Sequence, residues 1–183
     1  MIIGVTGSFG SGKTTVANMF GKYGFKVINV DKLYHGIYNK NKALKNKIKK
    51  EFGTLDRNQL KKIVFNNSAK LKKLNKLTHP IIIKTLKKEI KNNKKIVVDI
   101  PLLFESKLEK MFDKIIVVKC DKKTQIKRIL KKNKYSRKEI NNIINSQMPL
   151  KEKIKKVDFV LDNDGINETK SQVNSIINSI QNP

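Results

Sequence analysis

The residues with the clearest chemical signature lie near the N-terminus, where residues 7–14 read G-S-F-G-S-G-K-T. Glycines at these positions let the backbone wrap so that successive N–H groups point inward at phosphate oxygens. A helix that begins there adds its positive end. Lys13 can then reach the β- and γ-phosphates of a nucleoside triphosphate, and the Thr14 hydroxyl can bind Mg²⁺. Because an apolar run precedes this loop and an amphipathic helical pattern follows it, a chance match is disfavoured.

Two aspartates follow, each at the end of an apolar run. Asp31 ends the second predicted strand and Asp99 ends the third. The carboxyl ends of parallel strands share one edge of a sheet, so both carboxylates should meet the glycine-rich loop there. One can accept or orient the proton of an attacking hydroxyl, and the other can hold the Mg²⁺ shell. The alternative for either residue is that it caps the helix that follows.

Phosphoryl transfer also needs cations near the charge that moves. Arg128 is one of three arginines, with Arg57 and Arg137, in a chain whose other basic residues are lysines. Its planar fork can pair with a phosphate through two N–H groups, and a solvated helix face is the alternative. His79 precedes Pro80, where a helix is predicted to begin, so its side chain could face a substrate. No group of His, Cys and Asp residues has the spacing of a zinc site.

Short apolar runs alternate with helical patterns, and this order must position the residues above. The predicted strands are residues 1–6, 26–30, 95–100, 115–119 and 158–161. The predicted helices between and after them are residues 13–22, a segment beginning at Pro80, 122–132 and 167–180. Unbroken β-branched runs favour strands that are buried on both faces. The alternation therefore predicts an α/β fold with a five-stranded parallel sheet and helices on both faces.

Two stretches interrupt the alternation. Residues 32–92 contain helical patterns but no convincing strand, which predicts a helical insertion beside the sheet. Residues 131–150 begin with a basic segment and continue with a short helical pattern, in which Ser136 and Glu139 have capping-box spacing. This second stretch is interpreted as a mobile lid, and an ordinary surface helix is the alternative.

Composition restricts the class of protein. The 183 residues suit one compact domain with room for a small lid. A net charge of +26 would attract polyanions, but the lysines are spread along the whole chain, which favours a lysine-rich composition over a dedicated partner. Cys120 is the only cysteine, so we expect no internal disulfide and a reducing, cytoplasmic compartment. Neither a signal peptide nor a membrane span is predicted.

In combination these motifs resemble the dephospho-CoA kinase family over nearly the whole chain. The matching segments are residues 6–15, 27–31, 52–53, 55–57, 64–65, 74–80, 99–105, 147–153, 157–158 and 162–165. The most specific of them is the D-I-P-L-L-F-E run at 99–105, which occurs together with L-D-R at 55–57 and H-P at 79–80. The glycine-rich loop alone indicates only a nucleotide.

The resemblance implies the last step of coenzyme A synthesis, in which ATP phosphorylates the ribose 3′-hydroxyl of dephospho-CoA to give coenzyme A and ADP. It implies a P-loop nucleoside-triphosphate hydrolase-like three-layer fold in three parts: a nucleotide-binding core, a helical part that binds the CoA substrate, and a lid. We assign the core to residues 1–31, 93–130 and 154–183, the helical part to 32–92, and the lid to 131–153. ATP and Mg²⁺ are the expected co-substrate and cofactor of a cytoplasmic protein, expected to be a monomer, with no specific nucleic-acid or membrane partner.

The resemblance also implies roles for single residues. Asp31 becomes the catalytic carboxylate that faces the 3′-hydroxyl, with Lys13 and Arg128 as catalytic cations, and Asn163 lies where the family holds the adenine. The ATP-binding set is Gly10, Ser11, Gly12, Lys13, Thr14, Thr15, Arg128, Lys132 and Asn163. The substrate-binding set is Asp31, Arg57, His79, Pro101 and Leu102, and the metal ligands are Thr14 and Asp99.

The chain departs from the family pattern at three positions. Asn29 stands where the family has the first of two aspartates, so Asp31 must serve alone while Asn29 can still form hydrogen bonds. Lys132 replaces a second lid arginine, which keeps the charge but loses the bidentate fork. Val157 replaces an alanine.

Three other functions remain as alternatives. A kinase of another metabolite, such as a nucleoside, a nucleotide or a shikimate-like alcohol, would share the loop but is not expected to share the motifs in 32–92. A GTPase would need an Asn-Lys-x-Asp tetrapeptide, which does not occur in the chain. A nucleic-acid-binding module is suggested only by the charge.

Overall fold

The computed structural model describes residues 1–65, 67–131 and 136–181. Its strands are β1 (Ile2–Gly7), β2 (Lys26–Asn29), β3 (Ile96–Asp99), β4 (Lys114–Lys119) and β5 (Phe159–Asp162). The helices are α1 (Lys13–Gly21), α2 (Val30–Lys40), α3 (Lys42–Phe52), α4 (Arg57–Phe65), α5 (Ser68–Lys91), α6 (Lys122–Leu130), α7 (Arg137–Asn145), α8 (Leu150–Ile154) and α9 (Ile166–Gln181). A 3₁₀ turn spans Glu109–Met111. Within the described residues, no helix combines the length and apolar character needed to cross a membrane.

The five strands form one parallel sheet in the order β2-β3-β1-β4-β5, which confirms the predicted fold class. The β-branched residues of the central strands are fully buried because helices cover both faces. On one face, α1 and α9 pack on Ile3, Val5 and Val118. On the other face, Leu86 of α5 and the segment after β3 pack on Val98 and its neighbours. This three-layer arrangement places the carboxyl ends of the strands at a single edge.

The chain between β2 and β3 is helical in its described part and forms a core of its own. Tyr38 of α2 and Ile48 of α3 are buried there with Leu60 and Val64 of α4, against the apolar side of α5. No strand occurs in the described part of this segment, as the sequence predicts. This second core is distinct from the two clusters that cover the faces of the sheet.

Local predictions differ from the structure at two places. Asp31 does not end a strand: β2 stops at Asn29, whose side-chain Oδ1 accepts a hydrogen bond of 2.8 Å from the Lys32 amide and caps α2. Asp31 therefore lies in the first turn of α2. Pro80 does not begin a helix but lies inside α5. Apolar residues before it pack on the insertion core and apolar residues after it pack on the sheet cluster, and this packing offsets the lost backbone hydrogen bond.

The helix α7 begins as predicted. Ser136 and Glu139 form a reciprocal capping box, with the Ser136 amide donating to the Glu139 carboxylate at 2.8 Å. This pair satisfies backbone groups that a helix N-terminus would otherwise leave without partners. Lys132, which the resemblance places on the lid, lies outside the described residues.

Candidate active site

The glycine-rich loop joins β1 to α1 at the carboxyl edge of the sheet. Gly12 has φ of 87°, and a Cβ at this position would collide with the side-chain amide of Asn163. Gly7 has φ of 147°, and a Cβ there would collide with the carbonyl oxygen of Val118 in the neighbouring strand. Both positions therefore require glycine for conformation and for space, which holds the loop close to its neighbours.

A cleft of about 490 Å³ opens above this loop. It is lined by Phe9, Gly10, Gly12, Lys13, Thr14, Thr15, Asp31, Asp99, Pro101, Arg128, Ile129, Lys131, Gln147, Asn163 and Ile166. Residues that lie far apart in the sequence, among them Lys13, Asp31, Asp99 and Arg128, therefore share one cavity. The volume is in the range of pockets that bind small molecules.

The side chain of Lys13 is buried beneath the loop, where Nζ donates to the carbonyl oxygens of Gly7 at 3.2 Å and Ser8 at 2.9 Å. Burial lowers the pKa of Lys13 to about 8, and the carboxylate of Asp99 partly opposes this effect. A phosphate would add negative charge beside the ammonium and favour its protonated form. The loop thus holds a cation where phosphate oxygens would lie.

Asp99 is the centre of a short network at the end of β3. Its Oδ2 accepts hydrogen bonds of 2.6 Å from the Thr14 hydroxyl and from the Asn29 side-chain amide, and the residue is almost fully buried. The hydroxyl and the carboxylate are hard oxygen ligands of the kind that Mg²⁺ prefers. Among the described residues, no group of three or more His, Cys, Asp or Glu side chains could hold a metal. The residues therefore fit a cation that takes most of its shell from phosphates and water.

Asp31 differs from Asp99 in its surroundings, although both carboxylates line the cleft. Asp31 is an exposed residue of the cleft lining, and within the described structure its carboxylate accepts no hydrogen bond. Partial desolvation in the cleft and then the charge of Asp99 raise the pKa of the Asp31 carboxyl, against the opposing effect of Lys13. A carboxylate that is more basic than usual and has no protein donor is suited to receive or orient a hydroxyl proton.

The other end of the cleft is assembled around Asn163, which follows β5. Its side-chain amide donates to the Ser11 carbonyl at 2.8 Å, and its Oδ1 accepts from the Thr169 hydroxyl at 3.1 Å. Arg128 of α6 donates through Nη1 to the Asn163 carbonyl at 2.7 Å. Arg128 is thus not on a solvated helix face, because this bond turns its guanidinium toward the cleft.

Several residues of the cleft were not singled out by their sequence. These residues are Phe9, Ile129, Lys131, Gln147 and Ile166. Gln147 accepts a hydrogen bond of 3.0 Å from the Phe9 amide. The only sequence signal for Gln147 is that it begins one of the matching family segments. The apolar residues carry no local signal, because chain folding alone brings them to the cleft.

Four residues of the predicted sets that the structure describes lie outside the lining of the cleft. Ser11 is buried in the loop, where its carbonyl accepts the bond from Asn163. His79 lies within α5, close to the Ser106 hydroxyl at 3.4 Å, and burial lowers the pKa of its imidazole. Leu102 follows Pro101 in the turn after β3. Arg57 begins α4 and contacts His35.

The parallel sheet in this order, with a glycine-rich loop that leads into α1, is the fold of P-loop proteins. The buried Asp99 on the loop threonine and the second carboxylate, Asp31, in the same cleft assign the protein to the P-loop kinases. Comparison with known proteins identifies the family. The family model described as dephospho-CoA kinase matches residues 1–169. The chain belongs to the dephospho-CoA kinase family.

Individual relatives agree with this membership. A dephospho-CoA kinase from Bacillus cereus is 40% identical over 97% of this chain and 96% of its own length. A crystal structure from Thermus thermophilus aligns with a TM-score of 0.83 and 31% identity, over 98% of this chain and 96% of that one. The structure of dephospho-CoA kinase from Campylobacter jejuni aligns with a TM-score of 0.69 and 33% identity over the same shares.

Proposed function

We propose that this protein transfers the γ-phosphate of ATP to the 3′-hydroxyl of the dephospho-CoA ribose, giving coenzyme A and ADP. The observation that carries the proposal is that Asp31, a carboxylate with no protein hydrogen-bond donor among the described residues, lines the same cleft as the phosphate-binding loop. Family membership supports the choice of acceptor over other alcohols.

ATP is proposed to lie along the loop with its base near Asn163. The loop residues Gly10 to Thr15 would receive the phosphates, and Arg128, whose guanidinium lies beside Gly12, would add a second cation. Ile129 and Ile166 offer apolar surface beside Asn163 for a planar base. Lys132 remains part of this proposal from the resemblance alone.

In the proposed reaction the 3′-hydroxyl oxygen attacks the γ-phosphorus in line, and the bond from that phosphorus to the leaving oxygen of ADP breaks. Asp31 accepts or orients the hydroxyl proton. Lys13 and Arg128 offset the negative charge on the transferred group and on ADP. Each role uses a side chain whose position in the cleft is already determined by the loop, by α2 or by the bond to Asn163.

Mg²⁺ is proposed to bind beside Thr14 and Asp99, where it would neutralise charge on the β- and γ-phosphates. We expect Asp99→Asn to raise the Mg²⁺ concentration needed for half-maximal activity by roughly ten- to a hundredfold. The measurement is ADP release titrated with Mg²⁺ at saturating ATP. Asp162→Asn, an exposed residue paired with Lys119, is the matched control. An unchanged Mg²⁺ requirement in a folded Asp99→Asn protein would remove Asp99 from the metal site.

The acceptor is proposed to enter from the side of the helical insertion, where Asp31, Arg57, His79, Pro101 and Leu102 form the proposed substrate-binding set. Pro101 lines the cleft, and its carbonyl is held by the Thr6 hydroxyl at 3.3 Å and by the buried Lys153 ammonium at 3.2 Å. We also propose that the helical part spans residues 32–92 and the lid residues 131–153. The protein is further proposed to be a cytoplasmic monomer. The single cysteine suits such a compartment.

A coupled assay of ADP release tests the function directly. We expect turnover with dephospho-CoA to exceed that with AMP, CMP, adenosine or shikimate, because only the first matches the motifs of the insertion. Each acceptor is assayed at the same ATP and Mg²⁺ concentrations, with a blank that lacks acceptor. Preferred turnover of any other member of this panel would contradict the proposed acceptor while leaving the kinase class intact.

A further inference from the structure

The segment Leu55-Asp56-Arg57 is held to the rest of the insertion at each of its residues. The Tyr38 hydroxyl of α2 donates to the Leu55 carbonyl at 2.8 Å. Asp56 accepts from the Gln59 amide at 2.8 Å and so caps α4. Nη2 of Arg57 lies 2.8 Å from Nε2 of His35, again on α2. The position of the Arg57 guanidinium is therefore set by α2, the helix that also carries Asp31.

The contact with Arg57 determines the protonation state of His35. A guanidinium only donates hydrogen bonds, so Nε2 of His35 must accept, and the ring proton lies on Nδ1. Burial and then the charge of Arg57 lower the pKa of His35, which agrees with a neutral ring. Nδ1 is itself buried and has no partner among the described residues, so within the described structure the contact with Arg57 is the hydrogen bond that this imidazole makes.

The spacing along α2 relates this pair to the reacting carboxylate. Asp31 and His35 are four residues apart, so they share one face of the helix with a rise of about 6 Å between them. Arg57 is exposed, and among the described residues Nη2 to His35 is its only side-chain hydrogen bond. Its other N–H groups thus remain for a ligand that lies over α2 beside Asp31.

We propose that His35, one helical turn from Asp31 on α2, is a positioning residue that holds Arg57, so that Arg57 binds the 5′-diphosphate of the acceptor nucleotide. One ribose carries both the 3′-hydroxyl and the 5′-phosphate. Asp31 would face the 3′-hydroxyl, and Arg57, held at His35 one helical turn along α2, would face the 5′-phosphate. A diphosphate matches the planar fork of arginine, which binds phosphate through paired N–H donors. This inference rests on the proposed function and adds the group by which the acceptor is recognised.

The test compares variants at position 35 that differ in reach. Glutamine can place an acceptor oxygen near the position of Nε2, whereas asparagine is too short and alanine has no polar atom. We expect His35→Ala and His35→Asn to raise KM for dephospho-CoA about tenfold. KM for ATP and kcat should change little, and His35→Gln should restore most of the loss. Lys40→Ala, at an exposed position on a different face of α2, is the control for the helix.

Adenosine, which has the 3′-hydroxyl but no 5′-phosphate, separates positioning from a structural effect. We expect His35→Ala to leave KM for adenosine unchanged, and to have no further effect in an Arg57→Ala background, because both changes remove the same contact. Three results would overturn the inference. His35→Ala could raise KM equally for dephospho-CoA and adenosine, its effect could add to that of Arg57→Ala, or His35→Gln could raise KM as much as His35→Ala. If the wild-type protein releases no ADP with dephospho-CoA, the proposed function itself fails, and this outcome is distinct from the others.

Discussion

Replacing Asp31 by Asn should lower kcat for dephospho-CoA about a thousandfold, within the range for loss of a general base. The amide keeps the shape of the side chain but cannot accept the hydroxyl proton. Binding of ATP should be unchanged, because the phosphate loop and Asn163 make no described hydrogen bond to Asp31. The measurement pairs steady-state ADP release with calorimetric titration of ATP into the same protein preparation.

Stability supplies an independent check on this variant. Folding raises the pKa of the Asp31 carboxyl, so the folded protein binds the carboxyl proton more tightly than the unfolded chain does. The folded protein therefore loses stability as pH rises through the raised pKa. Asp31→Asn should remove that loss and should be no less stable at neutral pH. Glu109→Gln makes the same chemical change away from the cleft and should keep full activity. A folded Asp31→Asn protein with normal turnover would exclude Asp31 from the mechanism.

Replacing Lys13 by Met should reduce kcat/KM for ATP by roughly a hundredfold to a thousandfold, the usual cost of losing one preorganised donor to developing charge. The side chain keeps a similar length and apolar stem but loses the ammonium that lies under the loop. Because the same cation would bind the γ-phosphate before and during transfer, both KM and kcat should suffer. Initial rates over a range of ATP concentrations separate the two.

The pH dependence of stability distinguishes a lost cation from a damaged loop. Burial lowers the pKa of Lys13 from 10.5 to about 8, so between these values the unfolded chain binds more protons than the folded protein. The wild-type protein should therefore gain stability as pH rises through this window, and Lys13→Met should lack that gain. Lys170→Met, an exposed residue of α9, is the control and should retain both activity and pH dependence. A Lys13→Met protein with normal kcat/KM would contradict the assigned role.

The sequence by itself determined those features that depend on local pattern. The spacing of glycines and Lys13 requires a wrapped loop, and the buried β-branched runs require a parallel sheet covered on both faces. Asp99 was correctly placed at the end of a strand, since strand residues and the polar residue that stops them are adjacent in sequence. The capping box at Ser136 follows from the same kind of short-range chemistry.

Only the tertiary structure decided which distant groups meet. Asp31 lies in a helix turn rather than at a strand end because Asn29 caps α2. The helix α5 continues through Pro80 because its N-terminal half packs on the insertion core and its C-terminal half packs on the cluster that covers the sheet. The bonds of Asn163 to Ser11 and of Arg57 to His35 join segments that have no local signal for each other. The energies of these hydrogen bonds and packing contacts depend on where the residues lie in space. Local sequence patterns therefore indicate which residues are present but not which of them contact each other.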